Sequence, residues 1–242
     1  MEDRYLSIID AVCCDIKNGK IHYDGTLAGI VLTGSMALGC YHAKSDIDLH
    51  VIVHSVTNKI HRICKIYDDT IVQISIYSFS KFAFDCLHHD RKRPACYACK
   101  LLFDPDGLCM KLIGYSSCYL QKGPIKLTSA ERAVMASTIK TEFFTAEGLA
   151  MEGNNAPAAL IINETLQLAI SYYNDSNNYW MANNNYLFTE LATHDIELGK
   201  LANQIILSSD LTYKLELLKC FCKKCIADFD TLPLEYSYEA SL

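Results

Sequence analysis

The sequence predicts an α+β protein in two parts: a mixed sheet with helices over residues 1–122, then a bundle of helices over residues 123–242. Three observations carry this. Short runs of β-branched and alternating residues fall only in the first half. Helical spacing dominates the second half, with no strand pattern past Gly123. Gly123-Pro124 is a breaker pair between the two.

The elements follow in order. Tyr5, Leu6, Ile8, Ile9, Ala11, Val12 and Ile16 share a helical stripe, predicting a helix over 5–17. Ala28 to Leu32 is a short apolar run that reads as a buried strand, ending at Thr33-Gly34-Ser35. The small residues from Met36 to Gly39 can hold a short helix. Asp46 to Val53 alternates as a second strand. Lys59–Ile66 and Thr70–Tyr77 read as two more, joined by a turn at Tyr67-Asp68-Asp69. Phe79–His89 is predicted helical, Leu101–Phe103 a short strand, and Asp104-Pro105-Asp106-Gly107 a turn. Thr128-Ser129-Ala130-Glu131 has capping-box spacing, so a helix is expected from there to about Met151. Further helices are expected over 157–174, 186–192, 195–208 and 211–228. The polar segment 174–185 carries Tyr179 and Trp180 and reads as a packed loop.

The chain has 242 residues, 50% hydrophobic and 21% charged, enough apolar material for a real core without staples. A net charge of -6 argues against nucleic acid as partner, and the basic run His88–Arg93 reads as a solvated loop. The N-terminal residues lack a signal-peptide pattern, and no apolar run reaches membrane-span length. The expected location is therefore cytoplasmic, where the 12 cysteines stay reduced. Cys96/Cys99 and Cys222/Cys225 are C-x-x-C pairs, but they lie far further apart than the pairs of a zinc ribbon.

The chemistry is concentrated in Gly34-Ser35 and Ser45-Asp46-Ile47-Asp48. Two aspartates two residues apart on a strand project from one face. Adjacent carboxylates repel, and a hard divalent cation such as Mg²⁺ relieves that cost. Such a cation completes its shell with waters and substrate phosphates. Gly34 and Ser35, at a strand end, offer backbone N–H groups and a hydroxyl to a phosphate.

The pattern Gly34-Ser35-(x)10-Asp46-x-Asp48 resembles the signature of the DNA polymerase β-like nucleotidyltransferases, and the chain more narrowly resembles the antibiotic (kanamycin-type) members. Val72 to Ser78 looks like the third core strand of that family, and Leu102 to Gly107 like the strand and turn that close its catalytic domain. Thr141 to Gly148 resembles the first helix of its substrate domain. The resemblance implies a nucleotidyltransferase catalytic domain over 1–122 and a helical substrate-binding domain over 123–242. It implies transfer of a nucleoside monophosphate, AMP most often, from a triphosphate such as ATP to a hydroxyl of a small aminoglycoside-like acceptor. In-line positioning and neutralised oxygens suffice for that chemistry, with two metals about 3.5–4 Å apart.

The resemblance makes Asp46 and Asp48 the metal ligands and catalytic carboxylates, with Gly34, Ser35, Lys44 and Ser45 on the nucleotide. Two departures stand out. The third acidic position is occupied by Gln73, which can lend a lone pair to a metal but no charge; an arginine position is occupied by Leu38, leaving triphosphate charge to Lys44 or Arg62. The resemblance also implies a general base on the Thr141–Gly148 helix, with Glu142 as the candidate; a helical wheel places it away from a Lys140/Glu147 edge expected to face solvent. Glu131 and Glu147 are rivals. Tyr172, Tyr173, Tyr179 and Trp180 are candidates for an acceptor pocket or for plain core. A homodimer stays open, as do two other readings: a protein- or tRNA-modifying enzyme of the toxin–antitoxin kind, and a non-catalytic nucleotide-binding module.

Overall fold

The computed structural model describes residues 3–55, 60–88, 91, 93–94, 96–182 and 186–233. The chain divides into two compact units, Met1–Lys122 and Gly123–Leu242.

The first unit is a five-stranded sheet with helices. In chain order it runs α1 (Asp3–Lys17), β1 (Thr26–Thr33), α2 (Gly34–Leu38), β2 (Ile47–His54), β3 (His61–Tyr67), β4 (Thr70–Ser78), α3 (Phe79–Leu87), β5 (Lys100–Phe103) and α4 (Leu108–Lys122). The sheet order is β3-β4-β2-β1-β5. β2 pairs antiparallel with β1 and parallel with β4, while the β3–β4 hairpin turns at Asp68-Asp69, both at positive φ. Alternation decides the faces. Ile47, Leu49 and Val51 of β2 and Val72, Ile74 and Ile76 of β4 pack with Ile30, Leu32 and α1 in one core. The opposite face is apolar only at one end, where Val31, Ile52, Phe82 and Cys109 meet under α3 and α4.

Strand bounds differ slightly from expectation: Asp46 precedes β2 by one residue, and β2 extends to His54. Lys59 and His89, expected at element ends, lie outside the described residues, as do His89, Asp90 and Lys92 of the basic run. Helix α4 was not expected. Its sequence carries Gly114, Ser116 and Ser117 and only a weak apolar stripe, with Cys109 and Ser116 buried. Its start is fixed by the preceding turn: the Asp104 carboxylate accepts the backbone N–H groups of Cys109 (3.2 Å) and Met110 (2.9 Å).

The second unit is helical among its described residues: α5 (Ser129–Met151), α6 (Asn155–Ser176), α7 (Leu187–His194), α8 (Ile196–Leu207) and α9 (Leu211–Cys225). The capping box at Thr128/Glu131 is formed. Pro157 is tolerated because it falls in the first turn of α6, where N–H groups lack intrahelical partners. Ile139, Phe143, Ile162, Leu166, Leu218 and Phe221 anchor the core. Asp175 ties α6 to the start of α5, accepting from Leu127 N–H (2.7 Å) and pairing with Arg132 (2.9 Å).

One expected solvent edge is wrong. Lys140 is 6% exposed, and its ammonium donates to the carbonyls of Asp230 (2.9 Å) and Leu232 (2.5 Å). A buried ammonium needs partners, and the chain after α9 supplies them; a helical wheel of α5 alone holds no sign of that distant segment. All twelve cysteines are free thiols. Among the described residues no helix is long and apolar enough to cross a membrane.

Candidate active site

The antiparallel ladder sets Thr33, the last residue of β1, opposite Asp48 of β2. The chain then turns at Gly34, with φ +68°. The turn passes so close to Asp48 that a Cβ on residue 34 would run into the Asp48 carboxylate. Glycine is therefore required twice over, for the left-handed backbone and for the approach. Gly34 opens the five-residue α2, with Ser35 next, and Gly39 caps its C-terminal end.

Asp46 and Asp48 share the sheet face opposite the α1 core, and both are half-buried. On the parallel neighbour, Gln73 lies beside Asp48 and its amide N–H donates to the Asp46 carboxylate. Burial, and then the charge of Asp46, hold the Asp48 carboxyl above the usual aspartate range. Two carboxylates crowded in this way leave a deficit of positive charge, and their oxygen donors fit a hard divalent cation. Among the described residues, no three His, Cys, Asp or Glu side chains converge on a common metal position.

Residues 18–86 match the family model of the nucleotidyltransferase domain. The matched segment contains Gly34, Ser35, Lys44, Ser45, Asp46, Asp48 and Gln73, and a nucleotidyltransferase domain supports nucleotidyl transfer in general. No match to the chain is found among curated proteins. A crystal structure of a nucleotidyltransferase-like protein from Exiguobacterium sibiricum 255-15 is similar over 90% of this chain and 74% of its own, at 14% identity and a TM-score of 0.48.

Within the matched segment, Lys44 is exposed, and its backbone N–H donates to His42 Nδ1 (3.2 Å). Ser45 is 8% exposed and closes the 42–45 turn: its Oγ accepts from His42 N–H, and its own N–H donates back to the His42 carbonyl, both at 2.9 Å. Its hydroxyl thus already has a structural task. Leu38, at the arginine position of the resemblance, is 40% exposed. Arg62 pairs with Ser75 across the β3–β4 hairpin and is exposed.

A histidine adjoins these groups that was not singled out from the sequence. His50 follows Asp48 by two on the same strand face and packs against Tyr77, ring centroids 4.7 Å apart. Burial first, then the Arg62 guanidinium, push its pKa down to about 4, so the imidazole is neutral near pH 7. Period-two spacing from Asp48 was the available signal.

The helical unit holds the remaining candidates. Glu142 is half-buried on α5. Glu131 is engaged in the cap, its Oε2 accepting from the N–H and hydroxyl of Thr128 at 2.8 Å each. Glu147 lines a cavity of about 350 Å³ between α5 and α9, with Phe143, Leu215, Glu216 and Lys219. Tyr172 and Tyr173 pack against the helical core, and Tyr179 stacks on His194 at 3.8 Å.

Proposed function

We propose that the chain transfers a nucleoside monophosphate, AMP from ATP in the first instance, to a hydroxyl of a small aminoglycoside-like acceptor. The observation that carries this reading is the close approach of the Gly34 turn to Asp48, beside Asp46, inside the segment that matches the nucleotidyltransferase domain. Gly34 and Ser35 would hold triphosphate oxygens, with Lys44 and Arg62 as the nearby cationic side chains. Asp46 and Asp48 would hold Mg²⁺, which when bound neutralises phosphate oxygens. Glu142 would take the proton of the acceptor hydroxyl. The hydroxyl oxygen then bonds to the α-phosphorus, and the bond to the β-phosphate oxygen breaks as pyrophosphate leaves.

Pyrophosphate release with ATP, Mg²⁺ and a panel of hydroxylated amines tests this, with Asp48→Ala and Glu142→Gln as variants. Asp48→Ala is expected to lose Mg²⁺-dependent nucleotide affinity. Glu142→Gln is expected to lower turnover about 10²–10⁴-fold with little change in nucleotide affinity. Unchanged Mg²⁺-dependent binding by Asp48→Ala would refute the carboxylate assignment; full turnover by Glu142→Gln would place the base elsewhere.

A further inference from the structure

The amide of Gln73 differs from a carboxylate in what it does to its neighbours. A carboxylate oxygen only accepts hydrogen bonds, so an amide that touches it must turn its nitrogen toward it. Gln73 does this: its Nε2 donates to Oδ2 of Asp46. The amide thereby occupies one lone-pair direction of Asp46, and its own oxygen is on the other branch of the side chain. The ladder of parallel β2 and β4 puts Gln73 directly beside Asp48, one residue of β2 away from where Asp46 leads into the strand. No third carboxylate, thiol or imidazole completes the group among the described residues.

Charge sets the capacity of such a site. Two aspartates carry two negative charges, which one divalent cation neutralises. The triphosphate brings charge for further cations, but a second cation fixed beside the first needs a protein oxygen of its own in addition to phosphates and waters. Where that ligand would stand, Gln73 offers a donor. We infer that this site takes a single divalent cation with its nucleoside triphosphate, and that Gln73 is the residue that excludes a second. This inference rests on the nucleotide-binding reading above and narrows it to the number of cations that the nucleotide brings.

Counting metal ions tests the inference without turnover. The full chain is titrated with Mn²⁺ in the presence of α,β-methylene-ATP, which cannot transfer its nucleotide, and bound Mn²⁺ is read by electron paramagnetic resonance. Calorimetry of the analogue is run in parallel. One Mn²⁺ per chain is expected for wild type and two for Gln73→Glu. Gln73→Ala should still bind one, because the amide is not a ligand. Two ions in wild type, with the analogue bound, overturn the inference and leave the nucleotide reading standing. One ion in Gln73→Glu, or none in Gln73→Ala, removes the role given to Gln73. An analogue that fails to bind wild type at all refutes the nucleotide reading and this inference with it.

Discussion

Replacing Gly34 by alanine should cost stability in two separable ways. The first is local: at φ +68° an L-residue pays about 1–2 kcal/mol for the left-handed conformation. The second is a collision, since the new methyl would enter the space of the Asp48 carboxylate, with Asp48 Cγ 3.2 Å and Cβ 3.4 Å away. Forcing one extra methyl into an occupied site costs about 1–3 kcal/mol. Together they amount to roughly 2–5 kcal/mol in the wild-type background. In an Asp48→Ala background the carboxylate is gone, so only about 1–2 kcal/mol should remain. The double-mutant cycle should therefore show a coupling of about 1–3 kcal/mol. Native-state hydrogen exchange of β1 and β2 amides, in metal-free buffer, reads the stability of the sheet unit separately from the helical one. An equal cost of Gly34→Ala in both backgrounds would show that the turn does not lie against Asp48.

Two further outcomes follow from single groups. Because Asp48 keeps its proton to higher pH in the native state than in the unfolded chain, unfolding releases a proton in that window and stability falls as pH rises through it, levelling off above the native pKa. In metal-free buffer Asp48→Asn should therefore be more stable than wild type at pH 7, with the advantage fading as pH drops toward the ordinary aspartate value; urea unfolding at several pH values checks this, and a less stable variant at pH 7 contradicts it. Lys140→Met keeps the aliphatic stem but leaves the Asp230 and Leu232 carbonyls without their donor, which should cost about 1–3 kcal/mol and speed proteolysis near residues 228–232; unchanged protection there would mean that the ammonium does not hold the segment.

Much of the architecture was legible because it rests on local pattern. Alternation in Ile47–Val53 and Val72–Tyr77 fixed both strand faces, and the Thr128/Glu131 spacing located the start of α5. What escaped depends on distant partners. Helix α4 gains its cap from Asp104 and its burial from the sheet, so its own sequence, broken by Gly114 and two serines, carries little helical signal. Lys140 looks like a surface residue until the chain after α9 arrives beside it. The site was legible as Gly34-Ser35 with Asp46 and Asp48, since each lies on or beside a readable strand. The contact of Gln73 with Asp46, and the setting of His50, needed the register of β4 against β2 and the approach of Arg62, which no single segment encodes.

The two margins of the sheet differ in a way that bears on how copies of the chain meet. β5 is only four residues long, and β3, at the other margin, is largely exposed and carries His61, Arg62 and Lys65. An unpaired strand invites another molecule to extend the sheet, with aggregation as the usual result. Here one margin is too short to template much pairing. On the other, two permanent cations would face those of an arriving β3 in a self-pairing arrangement, and the bare Ile66–Ile71 pair at its turn is too small to offset them. Assembly through strand addition is thus discouraged at both margins of the described sheet.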